Sequence, residues 1–547
     1  MIMKLLHLVC LLFLTMSPVF CQESKAEVWP PADTFDFMEL TIAKGFWTGG
    51  VIAWIDGEKT GVRGFGRLSR KGKQDVDGDT IFEIGSISKV FTTTILCRTI
   101  RDGKIKLSDT LAEVLGKEIK LTPTVAKITI EELATHTSGL PRMPLNHKPK
   151  TIADPYVDYG REQLFDFMAN FNVNEKSKGR VEYSNLGMGL LGTVLEIVLD
   201  KKYEVLVSEL VTKPLSMKAT ASNGQGANQA TGHSGKLAVS PWKFNALAGA
   251  GDLVSTANNM LMFGRACLNQ DDGEIGKAIG MASRMRAKVS DEMRVGLGWH
   301  SFEKDKRQVI WHNGGTGGFS SFLGFEKSTN RMFFAVVNSN GPEVTPLGFH
   351  SFFPTIPLPN LPTVVKLTDK EIAPCVGRFR LEGGLILEVA QVDDFLTVTI
   401  PGQATFTLYP STLNEFFLLV AAARCHFIPG KNNDIAALVW SQGGVNQRAP
   451  RVDGEDKAVK VAVEDLKKLA GRYQLDKDNV ITAIVVGDHL EARLTDQPFL
   501  KLRATSETKF TFEIVDAKLT FELGETGKAK SVTMMQNNNE KRAVRIE

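Results

Sequence analysis

No Cys-x-x-Cys pair occurs among the six cysteines, which excludes the commonest structural-zinc and dithiol redox signatures. The nine histidines contain no His-Glu-x-x-His or comparable spacing, so no metal is expected. Gly-x-Ser-x-Gly is missing, and with it the nucleophile elbow of an α/β-hydrolase. The glycine patterns of P-loops and dinucleotide folds are missing too, Gly314–Gly318 included, so no cofactor is expected. No block of lysines and arginines is interleaved with aromatics, and the formal net charge is only +3; nucleic acid is not an expected partner. Beyond Leu5–Met16 no apolar run is a credible membrane helix, so no stable membrane span is expected.

What is present is a chain of 547 residues, too long for one ordinary core and suited to two to four domains. Residues 1–21 read as a cleaved signal peptide: Lys4 supplies the charge, Leu5–Met16 the short apolar core, and Ser17–Cys21 the exit. Export to the periplasm or medium is the expectation, with lipidation of Cys21 as the minor alternative. Export permits disulfides, but Cys97, Cys267, Cys375 and Cys425 are scattered, and core thiols are the expectation for Cys375 and Cys425.

The stretch with chemical content is Phe82–Thr92. An apolar lead-in stops at Gly85, and Val90, Phe91, Ile95 and Leu96 have the spacing of a buried helix. Ser86 therefore falls at a helix N-terminus with Lys89 one turn on, on the same face. Backbone N–H groups and the helix dipole there favour the negative charge of acyl transfer, and a desolvated lysine can take the serine proton. Ser-x-x-Lys alone is weak, since Ser240, Ser301 and Ser506 also start one, and a plain N-cap is the competing reading. Tyr183-Ser184-Asn185 opens a second buried helix, Gly187–Asp200; a tyrosine beside a lysine can shuttle protons, and an asparagine amide can hold a substrate carbonyl. His312-Asn313-Gly314-Gly315 lies in a strand-like glycine run where a substrate backbone could meet free N–H groups. His136–Pro141 is read as a structural loop tying the nucleophile helix in place.

Helices are expected at 33–46, 128–135 and 256–268, the last capped by Ser255 or Thr256. Strands are expected at 47–55, 60–68, 296–299, 308–311, 319–325 and 331–337, with a largely helical insertion between the two groups: an α+β layout. Residues 141–160 form a long loop, and specificity is expected to lie in the 141–180 and 222–250 loops. Leu358–Pro362 is Pro-rich and marks a boundary, beyond which the chain is all strand and repeats itself. Gly377-Arg378-Phe379 recurs as Gly471-Arg472-Tyr473, and Arg448–Arg451 as Arg542–Arg545, each 94 residues on. Each copy is expected to hold six or so strands after a helical turn, a small barrel or sandwich. The division is then 1–21, 22–357, a linker at 358–367, 368–455 and 462–547, and residues before 360 are expected to fold alone.

Taken in order, Ser86-x-x-Lys89, Tyr183-x-Asn185 and His312-x-Gly314 resemble the serine β-lactamase and penicillin-binding-protein superfamily, closest to its class C β-lactamase-like branch. His136–Pro141, Pro214–Met217, Gly251–Thr256 and Gly296–Trp299 are similar to accessory signatures of that branch, and the match spans about residues 33–350. The C-terminal repeats resemble lipocalin-like barrels carried by many such hydrolases. The resemblance implies a β-lactamase-like domain, an antiparallel sheet with flanking helices and a helical insertion, followed by two all-β barrel-like domains. It implies Ser86 as acylated nucleophile and Lys89 and Tyr183 as proton-transfer partners. Asn185, His312 and Gly314 would contact substrate, and the N–H groups of Ser86 and Gly315 would form the oxyanion hole. The implied substrates are small esters, amides or D-amino-acid peptides. A penicillin-binding or peptidoglycan-ligand-binding protein without turnover, and a true β-lactamase, are the alternatives. β-Lactamases usually have lysine where this chain has His312, and a neutral imidazole offers a carboxylate less positive charge.

Overall fold

The computed structural model describes residues 28–151, 153–174, 176–222, 226, 228–382, 384–400, 403–431, 434–452, 459–512, 515, 517–536 and 539–547. The expected signal peptide lies outside the described residues. No described helix is long and apolar enough to cross a membrane.

The first part of the chain is stitched together from its two ends. Strand Gly49–Asp56 pairs antiparallel with Arg331–Val337 on one side and with Lys59–Gly66 on the other. The sheet continues through Ser320–Glu326, Arg307–Gly315, His300–Lys304, Met293–Val295 and Ala287–Lys288. Alternation places Val51, Ala53, Ile55, Met332, Phe334 and Val336 in the large helical core. Ile52, Phe333, Ala335 and Val337 point the other way, into a smaller core under helices Ala32–Ala43 and Thr345–Phe352. Both faces are therefore covered, which is why these strands are apolar at nearly every position rather than at every second one. The expected α+β layout holds: strands come from both ends of this part, with the helices between.

Three helices of that insertion bring the chemistry together. Ser88–Arg101 is buried almost all round, with Phe91 stacked on Phe263 of helix Ala257–Leu268 at 4.3 Å, a contact worth about 1 kcal/mol beyond its area. Thr256 caps the latter helix by accepting from the Asn259 N–H at 3.2 Å, one of the two caps expected. Helix Asn185–Leu199 is capped by Ser184 and packs on the turn Asn245–Ala250 through Gly189, Gly192 and Gly249. A side chain at Gly249 would strike the Met188 carbonyl at 2.7 Å, so the small residues set how closely these two segments approach.

Two expectations differ from the structure. Gly296–Trp299 is a turn rather than a strand: Gly296 N–H donates to the Trp299 carbonyl, and Gly298 has φ +67°, which breaks the pleat. A β-carbon at Gly298 would sit 3.1 Å from the Lys89 carbonyl, so glycine lets this turn press against the nucleophile helix. Each C-terminal sheet also has eight strands, not six or so. Pieces as short as Glu415–Phe417 and Lys509–Phe512 leave little period-two signal to read.

The second of these sheets is a closed barrel, and the ends of the first meet at a single bridge, Phe379 to Arg451. Residues 94 apart make the same clasp in both. Arg451 lies 5.8 Å from the Phe379 ring and donates to the Pro374 and Val376 carbonyls. Arg545 lies 5.6 Å from the Tyr473 ring and donates to Ala470 at 2.7 Å and, more weakly, to Lys468. The four described cysteines are free and buried, Cys375 and Cys425 in the core of the first sheet.

That first sheet docks on the helical part. Arg70 pairs with Asp394 at 2.6 Å and lies over Phe395, the Lys236 N–H donates to Thr407 Oγ1, and Phe46 packs edge-on against Tyr409. Phe46 and Tyr409 are both buried.

Candidate active site

Ser86 sits in the 3₁₀ turn Gly85–Ile87, which runs straight into helix Ser88–Arg101. Gly85 has φ +51°, and a β-carbon there would lie 2.7 Å from the Gly315 nitrogen. At Gly314 a β-carbon would lie 2.0 Å from the Ile84 carbonyl. The glycines on both sides thus allow strand Arg307–Gly315 to meet the Ser86 turn backbone to backbone. Ser321 Oγ ties the same place by donating to the Ile84 carbonyl at 2.8 Å.

Lys89 is fully buried, and its Nζ lies 2.9 Å from Ser86 Oγ, 2.8 Å from Asn185 Oδ1 and 2.7 Å from the Ala250 carbonyl. Burial, and secondarily the charge of Arg142, hold its pKa well below the ordinary lysine value. A neutral amine has two N–H donors and one lone pair. Two of its three neighbours are pure acceptors and take the two hydrogens, so the lone pair is left for the Ser86 hydroxyl, which donates to it. Because Asn185 Oδ1 is committed to Lys89, its Nδ2 points the other way, past Met143 Sδ at 3.9 Å.

Tyr183 stands over this pair. Lys89 Nζ lies 4.8 Å from its ring centre, and its hydroxyl hydrogen-bonds Ser86. The sequence suggests a tyrosine that ionises readily beside lysine; here burial pushes the phenol up instead, opposed only in part by the Ser86 bond. A neutral lysine supplies no charge to pull it down. Three imidazoles surround the ring, His136 at 4.7 Å, His312 at 6.1 Å and His300 at 6.3 Å between centroids. His136 Nδ1 accepts from the Ser184 N–H, so its proton is on Nε2; His312 Nδ1 donates to the Asn313 carbonyl, so its Nε2 is bare. Burial lowers the pKa of all three, that of His300 to about 4.

The cleft above Ser86 encloses about 450 Å³, and Tyr183, Asn185, Gly314 and Gly315 line it beside the serine. Lys89 is fully buried and does not line it. His312 does not line it: the side chain is fully buried behind Tyr183 and His300. Its low pKa also removes the charge change near neutral pH that an ordinary histidine would bring. His136–Pro141 ties down the Tyr183 segment rather than the nucleophile helix, through Glu182 N–H to the His136 carbonyl and Ser184 Oγ to the Pro141 carbonyl.

Sequence reasoning missed Arg142, Tyr156, Trp242 and His300, all of which line the cleft. Arg142 directly follows His136–Pro141, and Tyr156 and Trp242 come from the two loops marked for specificity. Tyr156 stacks on Phe244 at 4.5 Å and meets Trp242 at 5.2 Å, an aromatic wall built across 86 residues of sequence.

Trp242 is held from behind by Glu83, whose Oε1 accepts its N–H at 3.2 Å. Burial, with Asp252 and Asp154 adding to it, raises Glu83 from 4.5 to about 7. A carboxyl raised on folding binds more protons in the native than in the unfolded chain between those values, so it costs stability as pH rises through that window. Glu83→Gln is expected to gain on the wild type from about pH 4.5 to 7 and to stay level above, with a ceiling of about 3 kcal/mol. Paired melting curves at pH 5 and pH 8 check this; an equal difference at both would show that Glu83 is ionised throughout.

A family model described as Beta-lactamase matches residues 39–348, and one described as a domain of unknown function, DUF3471, matches residues 455–545. The D-alanyl-D-alanine-carboxypeptidase/endopeptidase AmpH of Escherichia coli (strain K12) is 27% identical over 315 residues, 53% of this chain and 79% of that protein. Penicillin-binding protein 4 of Amycolatopsis lactamdurans is 23% identical over 275 residues, 45% of this chain and 69% of that one. Among solved structures, the class C beta lactamase from Rhodobacter sphaeroides superposes with a TM-score of 0.51 at 21% identity, covering 59% of this chain and 99% of its own. The octameric penicillin-binding protein homologue from Pyrococcus abyssi gives 0.53 at 20%, covering 76% and 99%. The structural likenesses speak for the fold, and the Beta-lactamase model spans more than half of the chain: the protein belongs to the beta-lactamase family, in the superfamily of serine β-lactamases and penicillin-binding proteins.

Proposed function

We propose that the chain is an exported serine hydrolase that works through an acyl-enzyme on small esters, amides or D-amino-acid peptides. The observation that carries this reading is the buried Lys89 Nζ, 2.9 Å from Ser86 Oγ and held by the Asn185 Oδ1 and Ala250 carbonyl oxygens at 2.8 and 2.7 Å. Lys89 takes the Ser86 proton as Oγ attacks the substrate carbonyl. The N–H groups of Ser86 and Gly315 receive the oxyanion, and Asn185 Nδ2 holds the substrate amide or acyl group. As the tetrahedral intermediate collapses, the proton passes to the leaving group, with the Tyr183 hydroxyl as the relay. Water repeats the sequence on the acyl-enzyme and restores Ser86. Gly314 gives the close approach that places Gly315, and His312 supports Tyr183 from behind. The carboxypeptidase named among the relatives favours peptide-like substrates. A fluorophosphonate probe tests the reading: one adduct is expected, on the peptide carrying Ser86, together with ester turnover. A pocket that takes no label and turns over no ester would make the protein a non-catalytic binder.

The chain divides into the hydrolase part, residues 22–357, a linker at 358–367, and barrels at 368–455 and 462–547. The docking of the first barrel changes what truncation is expected to do. Ending the chain near residue 358 bares Phe46 and strands Arg70 and Lys236, so this protein is expected to aggregate. Ending it near residue 458 keeps that interface, and a soluble protein that still takes the probe is expected. Solubility and labelling of the two truncations decide; a soluble, active shorter form would show that the interface adds nothing to folding.

A further inference from the structure

The cleft lining includes one arginine, Arg142, and one carboxylate side chain, Glu343. Lys89 is fully buried and does not line the cleft, and burial disfavours charge on His300, so the positive charge facing a substrate comes from Arg142. Its backbone is fixed in place: the Asn185 and Leu186 N–H groups donate to the Arg142 carbonyl at 3.0 and 3.2 Å. Its guanidinium lies 5.3 Å from the Tyr183 ring centre. Among the described residues no carboxylate reaches it within ion-pair distance. A guanidinium resting on an aromatic face keeps its in-plane N–H edges free, the geometry that grips a carboxylate with two parallel bonds. Next to it Tyr156 and Trp242 provide an apolar wall.

We propose that Arg142 is the anion receptor of the cleft and sets a preference for esters and amides that carry a carboxylate near the scissile bond. The proposal rests on the acyl-transfer reading above. It puts the charge that recognises the substrate on the segment after His136–Pro141, rather than on strand Arg307–Gly315 where His312 is neutral and buried.

The test compares the wild-type full chain with Arg142→Gln and Arg142→Lys on three esters. One is neutral, p-nitrophenyl butyrate. Mono-p-nitrophenyl glutarate carries the carboxylate in the acyl half, and 3-(butyryloxy)benzoate carries it in the leaving half. The ratio of kcat/KM, anionic over neutral, is expected to fall about tenfold in Arg142→Gln for whichever half faces the arginine, mostly through KM, and to recover in part in Arg142→Lys. An unchanged ratio for both anionic esters overturns the proposal. Calorimetric binding of glutaric acid monoanilide needs no turnover and reads the same contact: Kd about tenfold weaker in Arg142→Gln supports it, and an equal Kd overturns it. Loss of binding without turnover of any ester would sink the acyl-transfer reading while leaving Arg142 as the receptor.

Discussion

Ser86→Ala is expected to lower turnover by roughly four to six orders of magnitude, leaving only what binding and the oxyanion donors contribute. The size follows from geometry: Lys89 and Tyr183 both converge on this one oxygen, and without it neither has a proton to move. The other Ser-x-x-Lys serines have no such surroundings. Ser301 is fully buried in the sheet, Ser506 Oγ is spent accepting the Lys509 N–H in a turn of the second barrel, and Ser240 is exposed on a loop. Mass spectrometry after probe treatment should find the adduct gone from the variant. An adduct that persists on a peptide holding one of those serines would overturn the assignment.

The second large effect concerns the charge state of Lys89. Lys89→Ala is expected to cost roughly two to four orders of magnitude, the usual worth of a positioned general base. Lys89→Arg, although it conserves formal charge, is expected to be no better, because a guanidinium cannot give up its proton in the working pH range. It would also bury a cation where burial and Arg142 already disfavour one. The sign of the pH dependence follows. The neutral amine is the active form and its pKa is lowered, so kcat/KM should fall as pH drops through that lowered value, at lower pH than an ordinary lysine would give. An ordinary lysine would require alkaline pH. A profile that rises toward pH 10 would show that the Lys89 amine is not lowered, and an arginine variant within tenfold of wild type would move the base from Lys89 to Tyr183.

The sequence alone carried the family, the α+β class and the three stretches that meet at the site, because each rests on local constraints. Ser86 and Lys89 are one helical turn apart, Gly85 and Gly314 are glycines because two backbones touch, and Thr256 caps the helix it precedes. The 94-residue spacing likewise marks positions that make the same clasp, Arg451 on Phe379 and Arg545 on Tyr473. What only the tertiary structure decided was which groups are charged and which face the cleft. Lys89 is a base because packing removes its water and offers it the Asn185 and Ala250 oxygens, from segments 96 and 161 residues away. His312 lies in the right motif, yet packing beneath Tyr183 and His300 takes it off the cleft surface and keeps it neutral. Arg142 directly follows the His136–Pro141 stretch, yet only the fold of the segment lays it over Tyr183 as the cation in the wall. A pKa and an exposure are properties of the surrounding volume, assembled from distant segments, and no window of sequence contains that volume.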